Sequence, residues 1–185
     1  MNDSQTLYEH ATCPYYTAAT CRSCTLLGTP TGKRVAAKEH LVHTALNAHG
    51  VIPAAVESIR IPSHPWGSRC KVKMSVTGTS EVPIFGIVRS DLSSQDLSAC
   101  PLTPPHIQKL IETIKHLVAE FNLVPYNIQA RTGELKHVII ISNHDATQGI
   151  VRFILRSSES IPRIKKLIAP LSRTHSWITV VSCNV

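Results

Sequence analysis

Strict alternation of apolar and polar residues between Arg69 and Thr77 is the feature that most restricts the fold of this chain. The alternation gives two sets of side chains, an apolar set of Cys70, Val72, Met74 and Val76 and a second set of Arg69, Lys71, Lys73 and Ser75. Successive side chains of an extended strand point to opposite faces, so a period of two indicates a strand. The segment therefore predicts a half-buried β-strand with a basic outer face.

Other segments predict further strands and helices. The additional strands are expected at residues 83–88, 137–142, 150–156 and 177–183. Apolar residues at helical spacing predict helices at residues 33–49, 103–121 and 161–171. Neighbouring strands are joined by short polar segments that suit hairpins. These patterns predict an α+β fold with a mostly antiparallel sheet packed against about three helices.

The chain has 185 residues, which fits one domain of ordinary size. Residues 1–32 are predicted to be an irregular, cysteine-rich segment, and residues 33–185 a central α+β domain in the same structural unit. The sequence ends directly after the predicted strand 177–183, with no capping element. We therefore interpret it as a fragment of a longer protein.

The charge of the chain favours a polyanionic partner. Lys and Arg total 19 against 12 acidic residues, which gives a formal charge of +7. Contacts from Lys and Arg to phosphates supply most non-specific affinity for nucleic acids. No apolar run reaches the roughly 18 residues that a membrane span needs. The first twelve residues lack a signal-peptide pattern, so we expect a cytoplasmic protein, which we take to be a monomer.

Four cysteines have a spacing that suggests a metal site. Cys13, Cys21 and Cys24 form a C-x7-C-x2-C run, and Cys100 follows just before a proline. Four thiolates complete a [4Fe–4S] site, but they also suit a structural zinc site, so the spacing alone leaves both open. In either case we expect the four sulfurs to converge and to join the N-terminal segment to the domain. Cys70, on the apolar face of its strand, is predicted to be a core residue.

Several short segments, in order, resemble one family. They are Cys13 with residues 21–24, the basic strand 69–74, the segment 96–102 that carries Cys100, residues 125–128, residues 131–136 and residues 152–157. Their order and spacing resemble the RlmC-type (RumB-type) 23S ribosomal RNA uracil-C5-methyltransferases over nearly the whole chain. The resemblance implies that Cys13, Cys21, Cys24 and Cys100 hold a [4Fe–4S] cluster.

The resemblance also implies a reaction that needs S-adenosyl-L-methionine (SAM). A cysteine attacks C6 of a uracil, C5 accepts the methyl group, and a base removes the C5 proton. The SAM-binding, Rossmann-like domain expected in the family is absent from this sequence, which offers no catalytic and no SAM-binding residue. Although residues 182–184 read Ser-Cys-Asn, as in the nucleophile loop, Val185 replaces the proline, so Cys183 is predicted to be a strand residue. We therefore expect the chain to be inactive alone.

The implied partner is 23S ribosomal RNA. The candidate RNA-binding residues are Arg69, Lys71, Lys73, Arg131 and Lys136. On a strand, the first three would project from one face about 7 Å apart, close to the spacing of successive phosphates. Two other kinds of protein are consistent with the residues. One is a non-enzymatic RNA-binding module whose fold is stabilised by a bound metal, and the other is a small iron–sulfur redox protein.

Overall fold

The computed structural model describes residues 12–62 and 64–185, which form two units, Met1–Pro65 and Trp66–Val185. Residues 1–11 of the predicted cysteine-rich segment lie outside the described residues. The first unit contains helices α1 (Pro14–Thr17) and α2 (Thr31–Ala48). The second unit contains, in chain order, β1 (Lys71–Gly78), β2 (Pro83–Val88), β3 (Ser94–Asp96), α3 (Pro105–Glu120), β4 (Leu135–Ser142), β5 (Gly149–Leu155), α4 (Ile161–Thr174) and β6 (Ile178–Asn184).

The six strands of the second unit form one sheet in the order β3-β2-β1-β4-β5-β6. All neighbours are antiparallel except β5 and β6, which are parallel. This exception follows from connectivity, because α4 carries the chain back across the sheet between β5 and β6 and thereby forms a βαβ unit. The predicted α+β class and mostly antiparallel sheet are confirmed, and the described residues form four helices.

Helices α3 and α4 pack on one face of the sheet and define its core face. Six residues of α3, from Ile107 to Val118, are buried there because they recur at helical spacing. Alternate residues of the strands meet them. The core residues that the strands contribute are Met74, Val76, Phe85, Leu135, Val138, Ile140, Val151, Phe153, Leu155 and Ile178. Burial of so many large apolar side chains supplies the main stabilisation of this unit. Along each regular strand the side chains at the intervening positions point to the opposite face, called the outer face below.

The element boundaries agree with the predicted ones to within a few residues, with three corrections. Helix α1 (Pro14–Thr17) lies in the segment that was predicted to be irregular. The first strand begins at Lys71, so Arg69 precedes it, and the Arg69 amide donates to the carbonyl of Leu102 at 2.9 Å. Strand alternation therefore does not determine the direction of the Arg69 side chain. The short strand β3 was not predicted, because its sequence Ser-Gln-Asp has no apolar alternation.

Helix α2 of the first unit confirms the helix predicted at residues 33–49. Its apolar side chains stay largely exposed, with Leu41 68% and Val42 46% accessible. Thr31 is the buried residue of this helix. Across residues 12–62 and 64–185, none of the helices has the length and apolar character of a membrane span.

Candidate nucleic-acid interface

Lys71 and Lys73 lie on the outer face of β1, as the alternation predicts. Both side chains are exposed, whereas Met74 and Val76 are buried on the core face. The register with β4 places Ile139 opposite Lys73 and His137 opposite Ser75. The centre of the outer face therefore combines two lysines with apolar and polar side chains of β4.

Arg152 is a basic residue of the same face that the sequence reasoning missed. It lies on β5 opposite Ile139, and it is exposed between the buried Val151 and Phe153. Its Nε donates to Ser182 Oγ on β6 at 3.2 Å. Alternation within the predicted strand 150–156 could have identified it as a third outward-facing cation.

Lys136 is placed by an irregularity and not by alternation. The pairing of β4 with β5 shifts between Leu135 and His137, so Lys136 lies in a β-bulge. Its ammonium nitrogen lies 5.3 Å from the ring centroid of Tyr126, within the range of a cation–π contact. The lysine therefore leans towards the loop that precedes β4.

The positive charges of Lys73 and Lys136 both act on the imidazole of His137. Burial lowers the pKa of His137, and the positive charges of Lys73 and Lys136 lower it further, while a backbone contact with Met74 acts in the opposite direction. The neutral imidazole is thus favoured near pH 7. Its Nδ1 atom is buried and has no hydrogen-bond partner in the described chain. A buried polar atom without a partner is costly, which makes this position suited to a ligand.

Residues 124–134, called the 124–134 loop, hold Tyr126 beside β4. The Tyr126 amide donates to the carbonyl of Leu135 at 2.9 Å, and the Glu134 amide donates to that of Val124 at 2.9 Å. Gly133 has a φ of +83°, and a Cβ at this position would clash with the Pro125 carbonyl oxygen. Glycine is therefore required where the two sides of the loop meet.

Glu134 joins this loop to the end of β5. One of its carboxylate oxygens accepts from Arg156 Nε at 2.8 Å, and the other accepts from the amide and hydroxyl of Ser157 at 3.1 and 2.7 Å. Burial opposes ionisation of Glu134, but the hydrogen bonds from Ser157 and Arg156 outweigh burial and lower its pKa. The Glu134 carboxylate is thus a structural anchor within the segment 131–136.

Arg131 lies at the exposed tip of the same loop. Its φ is +53°, and its carbonyl accepts from Arg156 Nη1 at 3.4 Å. RNA binding by the Arg131 guanidinium stays a prediction. The same holds for Arg69, which is exposed but precedes β1.

A pocket of about 150 Å³ opens between β1, β2, β4 and the 124–134 loop. Its lining residues are Ser75, Val76, Thr77, Val88, Tyr126, Ile128, Lys136 and His137. None of these lining residues is acidic, and Lys136 contributes a positive charge. The pocket therefore suits a flat, polar or anionic ligand better than a cation.

Three of the four predicted cluster cysteines lie in the first unit. Cys13 is buried and precedes α1, and Cys21 and Cys24 are half-buried. The Cys21 thiol donates to Ser23 Oγ at 3.5 Å. The Arg22 guanidinium lies 4.3 Å from the ring centroid of Tyr16, in a cation–π contact.

Cys100 lies in the second unit, in the turn that leads to α3. Its amide donates to Leu97 and its carbonyl accepts from Gln108 Nε2 at 3.0 Å. Within residues 12–62 and 64–185, no disulfide forms, and no group of three or more His, Cys, Asp or Glu side chains is arranged to hold a metal. Four thiols fit a [4Fe–4S] cluster as donors, but their convergence stays a prediction.

Cys183 lies on β6, as predicted, and it is half-buried against the core. Burial raises the pKa of its thiol. A thiol with a raised pKa is a poor nucleophile at neutral pH, because the thiolate is the reactive form. These features are those of a structural cysteine.

Sequence comparison relates this chain to two bacterial proteins named 23S rRNA (uracil(747)-C(5))-methyltransferase RlmC. The protein from Xenorhabdus nematophila is 32% identical over 177 residues, and that from Serratia proteamaculans is 31% identical over 177 residues. Each match covers 94% of this chain and 45% of the relative. The chain therefore spans somewhat less than half the length of the curated relatives it matches.

Two further comparisons add little. No family model matches the chain. A solved structure of the Pyrococcus abyssi tRNA (uracil-54, C5)-methyltransferase, in complex with S-adenosyl-L-homocysteine, matches 50% of this chain and 22% of that protein. The TM-score is 0.43 and the sequence identity 18%, which is too low a similarity to support an argument.

Proposed function

We propose that this chain, whose sequence is RlmC-like over 94% of its length, forms the RNA-binding and [4Fe–4S]-binding part of a methyltransferase. The complete enzyme would transfer a methyl group from SAM to C5 of a uridine in 23S ribosomal RNA. The observation that carries the proposal is the sequence identity of 30–32% to RlmC proteins from several bacteria.

The outer face of the sheet supports a role in RNA binding. Lys71 and Lys73 are two residues apart on one strand, so their side chains project about 7 Å apart. Arg152 lies on the same face two strands away, and Lys136 lies at its edge. Cations spaced in this way can each meet a different phosphate, which adds affinity but little sequence information.

The RNA-binding proposal is tested with a variant in which Arg69, Lys71 and Lys73 are each replaced by Gln. We expect weaker binding to ribosomal RNA hairpins, and a salt dependence that is shallower by up to about three phosphate contacts. A matched control replaces Lys165 and Lys166, two exposed residues of α4, by Gln. If the triple variant binds as tightly as the parent protein at low salt, the proposal is wrong.

The chemical steps are assigned to residues outside this sequence. The proposed scheme needs a nucleophilic cysteine, a general base and a SAM pocket. Cys183, the cysteine in the Ser-Cys-Asn sequence, is a poor candidate for the nucleophile, because its thiol is half-buried with a raised pKa. We therefore propose that the chain alone transfers no methyl group. Incubation with labelled SAM and unmodified 23S ribosomal RNA tests this point, and methylation at any uracil C5 would overturn it.

Cys13, Cys21, Cys24 and Cys100 are proposed to hold the cluster. A bound cluster would link Cys13, Cys21 and Cys24 to Cys100 through iron–sulfur bonds and so close a long loop of the chain. By analogy with disulfides, closing so long a loop would stabilise the fold by about 4 kcal/mol. Anaerobically purified protein should contain about four iron and four sulfide ions per chain, whereas one zinc ion per chain would favour the RNA-binding module stabilised by a metal.

A matched pair of variants tests the cysteine assignment. Cys100→Ser should lose iron and lower the melting temperature, whereas Cys70→Ser should retain iron, because Cys70 is not among the proposed ligands. Equal iron content in both variants would exclude Cys100 as a ligand. A reversible one-electron reduction that leaves RNA affinity unchanged would favour the alternative of a redox protein.

A further inference from the structure

The pocket beside Tyr126 brings together groups that the proposed phosphate contacts do not use. It lies at the edge of the outer face, and its lining residues include Tyr126, Ser75, Thr77 and His137. Neither hydroxyl makes a side-chain hydrogen bond with any of the described residues, and the buried Nδ1 of His137 has no partner there either. An aromatic ring next to unused polar groups is how proteins recognise an unstacked nucleobase.

We propose that this pocket binds one unstacked pyrimidine base of single-stranded RNA, an inference that rests on the proposed RNA-binding function. The size of the pocket supports a single ring. A volume of about 150 Å³ is that of a cavity which accepts one benzene-sized molecule. A pyrimidine fits this volume, whereas the second ring of a purine would project from it.

The chemistry of the lining matches the edge of a pyrimidine. Uracil and cytosine present both donors and acceptors, and the hydroxyls of Ser75 and Thr77 can rotate to serve either role. His137 is favoured as the neutral imidazole, so it has one nitrogen that donates and one that accepts. Val88 and Ile128 complete the wall with apolar contacts.

Lys136 binds the phosphate next to the bound base. In the RNA-free protein its ammonium lies 5.3 Å from the Tyr126 ring centroid, where the ring face partly balances the charge. An entering base takes the place of the ammonium against the ring, and Lys136 turns to the adjacent phosphate. Lys73, whose charge also acts on His137, meets the next phosphate along the RNA strand.

Fluorescence anisotropy at low salt tests the proposal with the full chain and two RNA probes. The probes are an oligouridylate of about ten nucleotides, within the site size of single-strand-binding folds, and an oligomer of the same length in which the bases are removed. The parent protein should bind the oligouridylate about 5- to 150-fold more tightly, since stacking of one base contributes about 1–3 kcal/mol. Equal affinity for the two probes would refute the proposal that the pocket binds a base. This test requires only the parent protein.

Tyr126→Leu and Tyr126→Phe form the matched pair of variants. Tyr126→Leu should bind the oligouridylate about 5- to 150-fold more weakly, with the affinity for the base-free probe and the salt slope unchanged. Tyr126→Phe retains the ring and should bind like the parent. Circular dichroism checks that both variants are folded. If Tyr126→Leu is unfolded, Thr77→Val replaces it and should weaken only oligouridylate binding.

The outcomes separate this proposal from the proposed function. If the parent protein binds neither probe, the RNA-binding function itself fails. If it binds both probes and Tyr126→Leu binds them like the parent, the phosphate contacts stand and the base pocket is refuted. Preference for oligoadenylate over oligouridylate would also refute it, because the single-ring size argument would be wrong.

Discussion

Glu134→Gln should loosen the 124–134 loop from the end of β5. The substitution keeps the size of the side chain but replaces one acceptor oxygen by an amide nitrogen that only donates. In the native protein both oxygens accept, one from Arg156 and the other from Ser157. In the variant, whichever way the amide turns, its nitrogen faces a donor. One side of the anchor is therefore lost.

The expected loss of stability depends on whether the contact with Arg156 or the contact with Ser157 breaks. Ser157 presents two donors and Arg156 one, so the one oxygen that the variant side chain keeps should stay with Ser157, and the contact with Arg156 should break. The Arg156 side chain is 41% exposed, so water replaces much of that contact, and we expect a loss of about 1–2 kcal/mol. Glu134→Ala removes all three hydrogen bonds and should cost about 3 kcal/mol, or about 6–12 °C in Tm.

The effect should depend on pH in a defined direction. Because the folded state lowers the pKa of Glu134 from its ordinary value of 4.5, the anchor stabilises the protein above about pH 4.5. This stabilisation is lost as the pH falls through the lower, folded-state pKa. Urea denaturation of the parent and Glu134→Gln should thus differ most near neutral pH and converge in acid.

Glu120→Gln is the matched control. Glu120 is exposed at the end of α3, and its carboxylate makes no hydrogen bond with the described residues. Its substitution should change the free energy of unfolding by less than about 0.5 kcal/mol. If Glu134→Gln unfolds at the same urea concentration as the parent near neutral pH, the anchor adds no net stability and the reasoning fails.

Three further predictions concern single residues. Gly133→Ala should destabilise the protein by more than about 2 kcal/mol in urea denaturation, because φ is +83° and the added Cβ meets the Pro125 carbonyl. The control Gly32→Ala should be neutral or stabilising, because a Cβ at that position meets no atom within 4 Å. Equal effects of the two substitutions would contradict this account. Arg152→Gln should reduce RNA affinity and lower the salt slope by about one contact, while Lys166→Gln on α4 should change neither. Cys183→Ser should lower the melting temperature, because it places a hydroxyl in a half-buried apolar site, yet leave RNA binding intact; a loss of RNA binding in folded protein would refute the structural role.

The sequence determined most of the secondary structure, because burial on one face produces a period that can be counted. Lys71 and Lys73 were predicted to face outwards for this reason, and the structure confirms it. The same counting, applied to β5, would have found Arg152. It could not find β3, whose three polar residues pair with β2 through the backbone and not through an apolar pattern.

The resemblance to the RlmC family could also be recognised from the sequence, because it depends on short segments in a fixed order. The sequence comparisons confirm an RlmC-like chain. The individual RNA-binding residues and the cysteine ligands stay predictions, since each depends on a partner. The spacing of the cysteines shows which donors are present, but not whether their sulfurs converge.

The tertiary structure alone decided the position of the base pocket. Lys136 lies in a bulge, where alternation no longer fixes the direction of a side chain. Tyr126 reaches the outer face because Gly133 and Glu134 fold its loop against β4 and β5. His137 lies opposite Ser75 because β1 and β4 pair although they lie far apart in the sequence. Local sequence determines the period of a strand, whereas the register between distant strands depends on the packing of the whole sheet.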